Sequence, residues 1–350
     1  MIGCGRTQTP LGTRRQGVEA QAASRGPFLR PILRQRRGSL LPVDRPTMCR
    51  FTLYLGPPVR LSTLLTEPEH SLIRQSYQSR ERSEPLNGDG FGIGWYAPRI
   101  WHEPALFHQI TPAWNNRSLQ SIAQVVASPC IMAHVRAATA GSDVNLANCH
   151  PFGYGGYLLM HNGQVGGFRK IRRRLLDSLS DEAFNLPRGS TDTEHLFAVF
   201  VDELLRHGCP VDAGAGSGYD GLGALELAHR LSAAITRVLV LSKELGGGES
   251  SFLNVAVADG SHVAVCRFDT DPEEQPESLY LFHGELYEPA GRRFPERRTD
   301  DDGEAMLVSS ERLSGDPRWM SVPPDSMLVL DRHAPPRVLP MDDLGRLVDA

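Results

Sequence analysis

The chain has 350 residues, with 37 Lys and Arg against 41 Asp and Glu, a formal net charge of −4 at pH 7 and 40% hydrophobic residues. This composition is typical of a soluble globular protein, and it argues against a general nucleic-acid binder, which would carry a basic surplus. The sequence has no run of about 18 apolar residues, so it predicts no transmembrane helix.

The first 47 residues have a different composition from the rest. They hold nine arginines and two acidic residues, Glu19 and Asp44, a balance of +7 that leaves −11 on residues 48–350. Pro and Gly interrupt this stretch, which shows no sustained apolar period, so we expect it to be disordered. It is a transit peptide, a basic tail for anionic partners, or an upstream reading frame mistaken for protein, with the true start at Met48.

The preference for arginine over lysine favours the third interpretation, an upstream reading frame mistaken for protein. The chain has 35 arginines and two lysines, a bias that suggests GC-rich coding DNA, in which spurious upstream extensions are easily assigned. We therefore expect an Arg-rich extension over residues 1–48, either a misassigned start or a removed leader. One domain should follow over residues 49–350.

The six cysteines form no CxxC pair and have no regular spacing. A disulfide framework is not expected in a chain of this length, and a zinc site has no Cys/His cluster to use. The sequence predicts no metal and no cofactor, and the cytoplasm is the expected compartment.

The predicted elements begin where the extension ends. Five stretches have the β-branched and aromatic character of strands: Cys49–Leu55, Phe91–Tyr96, Ala105–Ile110, Ile131–Ala137 and Gly156–His161. Three helices are predicted next: Gly167–Leu179, Asp192–Arg206 and Gly223–Leu245. A second set of strands follows: Ser251–Ala258, Ser261–Phe268, Ser278–His283, Ala305–Ser309 and Ser326–Leu330. This pattern predicts an α+β fold with antiparallel sheets whose outer faces are covered by helices.

Met48–Cys49–Arg50 stands where order begins. If Met48 initiates and is removed, Cys49 becomes the N-terminal residue. A terminal thiol can attack a carbonyl while its own α-amine, with a pKa of ~7.7, serves as base. The plainer alternative is a cysteine that merely packs in the first strand.

Two further segments carry groups that such a nucleophile needs. Asn87–Gly94 (NGDGFGIG) is dense in glycine, which lets backbone approach a ligand closely, although many turns look similar. Arg136 and Thr139 lie beyond a strand in HVRAATAG. An arginine fork grips a carboxylate through two parallel bonds, although a structural ion pair is the plainer alternative.

Two more polar positions follow. Asn162 and Gly163 stand at the end of a predicted strand, where a side-chain amide and a backbone N–H can form an oxyanion hole. A simple turn is the alternative. Asp192 lies in STDTE at the start of a helix, where it can hold an ammonium group or merely cap the helix.

In this order, the segments resemble the class II glutamine amidotransferases of the N-terminal nucleophile hydrolase superfamily. The resemblance implies a four-layer αββα sandwich. It implies that Cys49 forms a thioester with a γ-glutamyl group and that Asn162 and Gly163 stabilise the oxyanion. Arg136 and Thr139 would hold the glutamyl α-carboxylate, and Asp192 its α-ammonium group.

Further segments are similar to one subgroup, the amidotransferase-like subunit of the cytosolic glutathione-degradation complex and its bacterial relatives. They are RLSTLLTEPEHSLIRQS, NGDGFGIGWY, ITPAWNN, NCHPF and SSERL with DPRWMSVPPDSMLVL. The resemblance implies a small γ-glutamyl substrate, glutamine or glutathione, and a peptidase-like protein partner, without nucleic acid or membrane. A γ-glutamyl amidohydrolase of the ergothioneine type and a non-catalytic γ-glutamyl-binding subunit remain alternatives.

Three histidines, His134, His150 and His161, stand beside these motifs. Since an α-amine supplies the base, we expect them to orient neighbouring groups through hydrogen bonds. Cys149 is expected to pack rather than to act as a second nucleophile.

Overall fold

The computed structural model describes residues 48–81, 86–138, 143–211, 222–274, 276–286 and 304–341. The extension over residues 1–47 and the candidate site residue Thr139 lie outside these ranges.

The described residues form thirteen strands and seven α-helices. The strands are β1 (Arg50–Arg60), β2 (Phe91–Trp95), β3 (Ala105–Gln109), β4 (Ala127–Val135), β5 (Phe152–Tyr154), β6 (Tyr157–Gln164), β7 (Phe252–Ala258), β8 (His262–Asp269), β9 (Tyr280–Gly284), β10 (Ala305–Ser309), β11 (Met320–Ser321), β12 (Ser326–Asp331) and β13 (Ala334–Pro340). The helices are α1 (Ser62–Leu65), α2 (Leu72–Gln75), α3 (Arg117–Val125), α4 (Phe168–Asp177), α5 (Asp181–Phe184), α6 (Asp192–Arg206) and α7 (Ala224–Leu245).

The strands pair into two antiparallel sheets. The seven-stranded sheet has the order β11–β9–β10–β1–β4–β2–β3, and the six-stranded sheet has the order β13–β12–β8–β7–β6–β5. Side chains alternate between faces, as a strand requires. In β1, Phe51, Leu53 and Leu55 belong to the core between the sheets, whereas Tyr54 packs on the outer side.

Helices cover both outer faces, which gives four layers. Leu64 of α1, Leu72 of α2 and Leu119 of α3 pack on the outer face of the seven-stranded sheet. Residues of α4, α6 and α7, among them Ile171 and Leu231, pack on the outer face of the six-stranded sheet. The expected α+β class and αββα layering are confirmed.

The two predicted blocks of strands do not correspond to the two sheets. β9, β10 and β11 come late in the chain but join β1–β4, whereas β5 and β6 join β7, β8, β12 and β13. β1 lies between β4 and β10, so the strand that follows Cys49 is held on both sides.

The longer predicted elements agree well with the structure. α6 has the predicted bounds, and α7 begins one residue later than predicted. The short helices α1 and α2 were not predicted, since four residues carry no apolar period. β13 was also missed because its three prolines are unusual in a strand; proline is tolerated there because β13 is an edge strand. Among the described helices, none has the length and apolar character needed to cross a membrane.

Glycines of the Asn87–Gly94 segment let the two sheets approach. A Cβ on Gly92 would lie 2.0 Å from the His150 carbonyl oxygen, and one on Gly94 would lie 2.5 Å from Leu158 Cδ1. At these two positions the close neighbours belong to the protein itself, to the segment before β5 and to β6, which corrects the expectation that they admit a ligand.

Gly92→Ala should therefore destabilise the fold by about 3 kcal/mol, because the added methyl meets a backbone oxygen that cannot rotate away. The matched control is Gly315→Ala, whose Cβ would have no neighbour within 4 Å. Urea unfolding of the two variants checks this. A Gly92→Ala protein as stable as Gly315→Ala would contradict the packing argument.

Candidate active site

Cys49 lies directly before β1, at the end of the seven-stranded sheet. Its Sγ accepts a hydrogen bond from the Ala137 N–H at 3.4 Å and lies 3.5 Å from the Ala137 carbonyl oxygen. Burial raises the pKa of the Cys49 thiol, while the bond from Ala137 and the charges of Arg136 and Arg50 act in the opposite direction. Burial outweighs these contributions, so the net direction of the pKa change is upward and the thiol needs a base to ionise it.

Arg136 lies beside Cys49 because of the β1–β4 register. Arg50 pairs with Val135, so the next residues along the two strands are Cys49 and Arg136. Arg136 is buried, with 4% exposure. Its N–H donates to the Gly90 carbonyl at 2.8 Å, and its own carbonyl accepts from the Asp89 N–H at 3.1 Å.

Asp89 holds the backbone that follows Arg136. Its Oδ2 accepts a hydrogen bond from the Ala138 N–H at 2.8 Å. The Asn87–Gly94 segment thus fixes the turn in which Arg136 and Ala137 stand.

Asn162 and Gly163 lie near the end of strand β6, in the six-stranded sheet. Asn162 is 2% exposed, and its Oδ1 has no hydrogen-bond partner among the described residues. A Cβ on Gly163 would lie 2.1 Å from the Phe252 carbonyl oxygen, so glycine is required there. A buried side-chain amide with an unused polar atom is a candidate ligand contact.

Asp192 is the first residue of α6, and the structure assigns the capping role to its neighbour. Thr191 is the N-cap and accepts from the Glu194 N–H at 3.2 Å. The Asp192 carboxylate instead accepts from the N–H groups of Val165 and Thr193, both at 2.8 Å. Its charge also opposes ionisation of the Cys49 thiol, so it is close enough to influence the pKa of that group.

The three histidines connect these parts. His134 Nε2 lies 3.2 Å from the His161 carbonyl oxygen, and His150 Nδ1 lies 3.1 Å from His134 Nε2. His161 Nδ1 lies 3.0 Å from Thr193 Oγ1, beside Asp192. These contacts run from β4 through β6 to the start of α6, which agrees with the expected orienting role.

The structure therefore places Arg136 beside Cys49 and Asp192 within electrostatic reach of the thiol. Asn162 and Gly163 follow His161, whose carbonyl oxygen is contacted by His134 of the other sheet. Cys149 is buried, with its Sγ 3.6 Å from the carbonyl oxygens of Gln109 and Asn145. Within the described ranges, no group of three or more His, Cys, Asp or Glu side chains is arranged to hold a metal ion.

Sequence reasoning missed several polar residues behind this site. Asn87 Nδ2 donates to the Met48 carbonyl at 2.7 Å. Asn148 is fully buried and ties two loops together, because its Nδ2 donates to the Asp143 carbonyl and its Oδ1 accepts from the Ser190 N–H. Both residues stand inside segments that the motifs had singled out, but nothing in a single sequence distinguishes them from ordinary turn residues.

Comparison with known proteins adds family relationships to this geometry. A family model described as class-II glutamine amidotransferases matches residues 64–246. The chain is 38% identical over 301 residues to the probable glutamine amidotransferase DUG3 of Saccharomyces cerevisiae, which covers 82% of each protein. It is 39% identical over 122 residues to the gamma-glutamyl-hercynylcysteine sulfoxide hydrolase of Mycobacterium tuberculosis, or 34% of this chain and 50% of that one.

A solved structure shows the same fold. A glutamine aminotransferase class-II domain protein from Silicibacter pomeroyi superposes with a TM-score of 0.55 and 24% sequence identity. The superposition covers 84% of this chain and 99% of that chain.

The buried histidines predict acid sensitivity. Burial lowers the pKa of His134 to about 3, and it also lowers the pKa values of His150 and His161. The unfolded chain, with histidine pKa values of about 6.5, then binds more protons than the folded chain. Stability should be full above about pH 6.5 and should fall as the pH drops from there towards about 3.

Replacing His134 by Gln should make this fall shallower, by up to ~1.4 kcal/mol per pH unit. His262 supplies the opposite control: its pKa is raised because the hydrogen bond and charge of Asp259 outweigh its burial. Its contribution is present below about pH 6.5 and is lost as the pH rises, so His262→Gln should steepen the dependence. Urea unfolding midpoints of the wild type and the two variants, measured between pH 8 and pH 4, test both predictions. Parallel curves for the three proteins would contradict the assignment of these pH dependences to His134 and His262.

Proposed function

Because the chain belongs to the class II glutamine amidotransferases, we propose that it hydrolyses a γ-glutamyl amide bond with the Cys49 thiol as nucleophile. The position of Cys49 supports this most directly. Its Sγ accepts a hydrogen bond from the Ala137 N–H, next to Arg136 and within the electrostatic influence of Asp192. These are groups that an enzyme needs around a nucleophile and a zwitterionic substrate.

The proposal requires Cys49 to be the first residue of the working enzyme. While Met48 is attached, the Cys49 nitrogen is an amide and cannot accept a proton, whereas a free α-amine has a pKa of ~7.7. We therefore propose that residues 1–48 are absent from the active protein, either removed or never made. The domain of residues 49–350 then carries the activity.

The chemistry follows in two balanced steps. The Cys49 thiol gives its proton to the α-amine, and the sulfur attacks the γ-carbonyl carbon. The resulting oxyanion accepts hydrogen bonds from the Asn162 side-chain amide and the Gly163 N–H. Collapse expels the amine, which takes the proton from the α-ammonium group and leaves a thioester. Water, deprotonated by the α-amine, then attacks the thioester and releases glutamate and the free thiol.

Arg136 and Asp192 would bind the two ends of the glutamyl head. The buried guanidinium of Arg136 suits the α-carboxylate, with Thr139 as a second donor. The Asp192 carboxylate suits the α-ammonium group. The Asp192 carboxylate is already held by two backbone N–H groups, and the main chain of Arg136 is fixed by its bonds to Gly90 and Asp89, so little ordering is needed when substrate binds.

The substrate class is a small γ-glutamyl compound, glutamine or glutathione. A γ-glutamyl thiol intermediate is the second candidate, which the partial similarity to the Mycobacterium tuberculosis hydrolase favours. The subgroup resemblance adds a peptidase-like protein partner to the proposal. A non-catalytic γ-glutamyl-binding subunit is the competing function. Assays with glutamine and glutathione, with the chain alone and with co-purifying protein, separate these cases.

Cys49→Ala should lower γ-glutamyl hydrolysis by roughly a thousandfold or more, because no other group takes the place of the thiol. The fold should be unchanged. Cys209→Ala is the control, since Cys209 packs at the edge of the outer core around α6 and α7. N-terminal sequencing of active native protein should read Cys-Arg-Phe-Thr. Activity in a chain that retains residues 1–48, or in Cys49→Ala, would contradict the mechanism.

Arg136→Gln and Asp192→Asn should each leave one substrate charge unpaired in a buried site. The expected cost is about 2–5 kcal/mol, or ~30-fold to several thousandfold in kcat/KM. Each loss should largely disappear for the substrate analogue that lacks the matching carboxylate or amine. Arg173→Gln, on the exposed side of α4, is the control. Wild-type protein that handles both analogues as well as glutamine would contradict these roles.

A further inference from the structure

Arg50, the residue after the proposed nucleophile, holds the main chain on both sides of Cys49. Its side chain is buried, with 3% exposure of the residue. Its Nη1 donates to the carbonyl oxygens of Met48 and Cys49, at 3.1 and 3.0 Å. The guanidinium thus faces back along the chain, towards the position that a free α-amine would occupy.

Glu311 in turn holds Arg50. It lies two residues beyond β10 and is 1% exposed. Oε1 accepts from Arg50 Nε at 2.9 Å and from the Ser79 hydroxyl at 2.5 Å. Oε2 accepts from His70 Nε2 at 2.6 Å and from the Arg80 N–H at 2.9 Å. Arg50 Nη2 also donates to Ser79 Oγ at 3.0 Å.

Both oxygens of the buried Glu311 carboxylate therefore accept hydrogen bonds from neighbouring groups. Burial opposes its ionisation, but the hydrogen bonds from His70, Ser79 and Arg80 and the charge of Arg50 hold the pKa of Glu311 at about 2. Its negative charge balances the buried Arg50, and its four donors all come from residues 50–80, more than 200 positions earlier in the chain.

We propose that Glu311 is a positioning residue for the hydrolysis, which fixes through Arg50 the chain end that carries the Cys49 thiol and amine. This proposal rests on the proposed function above. Once Met48 is gone, the Arg50 bond to the Cys49 carbonyl and the Ala137 bond to the thiol still hold the terminal residue. If the terminal residue shifts by about 1 Å, its thiol and amine are out of reach of the substrate carbonyl.

The same fold offers a matched comparison. Asp202 is also a fully buried carboxylate, and it accepts from Arg206 and Arg237 at 2.6 and 2.8 Å. It lies in the second half of α6, where it also accepts from the Ser180 N–H. Losing Glu311 leaves the buried Arg50 charge unpaired, whereas losing Asp202 removes a buried carboxylate from the half-exposed Arg206 and from Arg237, which keeps Glu203 as a partner. Only Glu311 is connected to Cys49.

Glu311→Gln should lower kcat by about 10- to 100-fold while KM stays within about twofold, because Arg136 and Asp192 still bind the substrate head. Hydrogen exchange should accelerate in peptides that begin at Cys49. Asp202→Asn should lower the unfolding midpoint yet leave kcat and this exchange unchanged. Wild-type kcat or wild-type exchange in Glu311→Gln would overturn the proposal.

The double variant Arg50→Met/Glu311→Leu separates positioning from stability. It contains no unpaired charge, so its unfolding midpoint should recover towards wild type while kcat remains low. Recovery of kcat together with stability would show a merely structural pair and overturn the proposal. Because exchange needs no turnover, this test is distinct from that of the proposed function, which fails if Cys49→Ala remains active.

Discussion

The register between β1 and β4 is the constraint on which the site depends. Arg50 stands opposite Val135, and this pairing brings Cys49 alongside Arg136 and Ala137. A shift of one residue would turn Phe51 and Leu53 out of the core between the sheets. The apolar packing that stabilises the sandwich therefore also fixes the distance between the thiol and its donor.

The interior of the sandwich becomes more polar towards the end where Cys49 lies. Its centre is apolar, whereas the level of Cys49 holds His134, His150, His161 and Asn162, all buried. Burying polar groups costs free energy unless they find partners, and the histidines find some in one another, in backbone and in Thr193. Among the described residues, His134 Nδ1 and His161 Nε2 have no hydrogen-bond partner. The unused Oδ1 of Asn162 fits a site that a ligand completes. Stability is given up at the place where the chemistry is proposed.

Much of this could be predicted from the sequence. Strand periodicity, the bounds of α6 and the ordered motifs around Cys49, Arg136, Asn162 and Asp192 rest on local patterns. The sheet order could not be predicted, because β10 pairs with β1 from the far end of the chain and β9 pairs with β10 in turn. Glu311 was beyond reach for the same reason, since its partner Arg50 is 261 positions away. Long-range polar contacts have no period, so only the fold reveals them.

The central claim is that Cys49, with a free α-amine, carries the glutamyl group during turnover. The most direct measurement is an acid quench of the working enzyme with glutamine, followed by mass analysis of its peptides. We expect one added glutamyl group on a peptide that begins at Cys49, lost on treatment with hydroxylamine and absent from Cys49→Ala. A glutamyl adduct on another residue, or turnover by a chain that keeps Met48 attached, would contradict it.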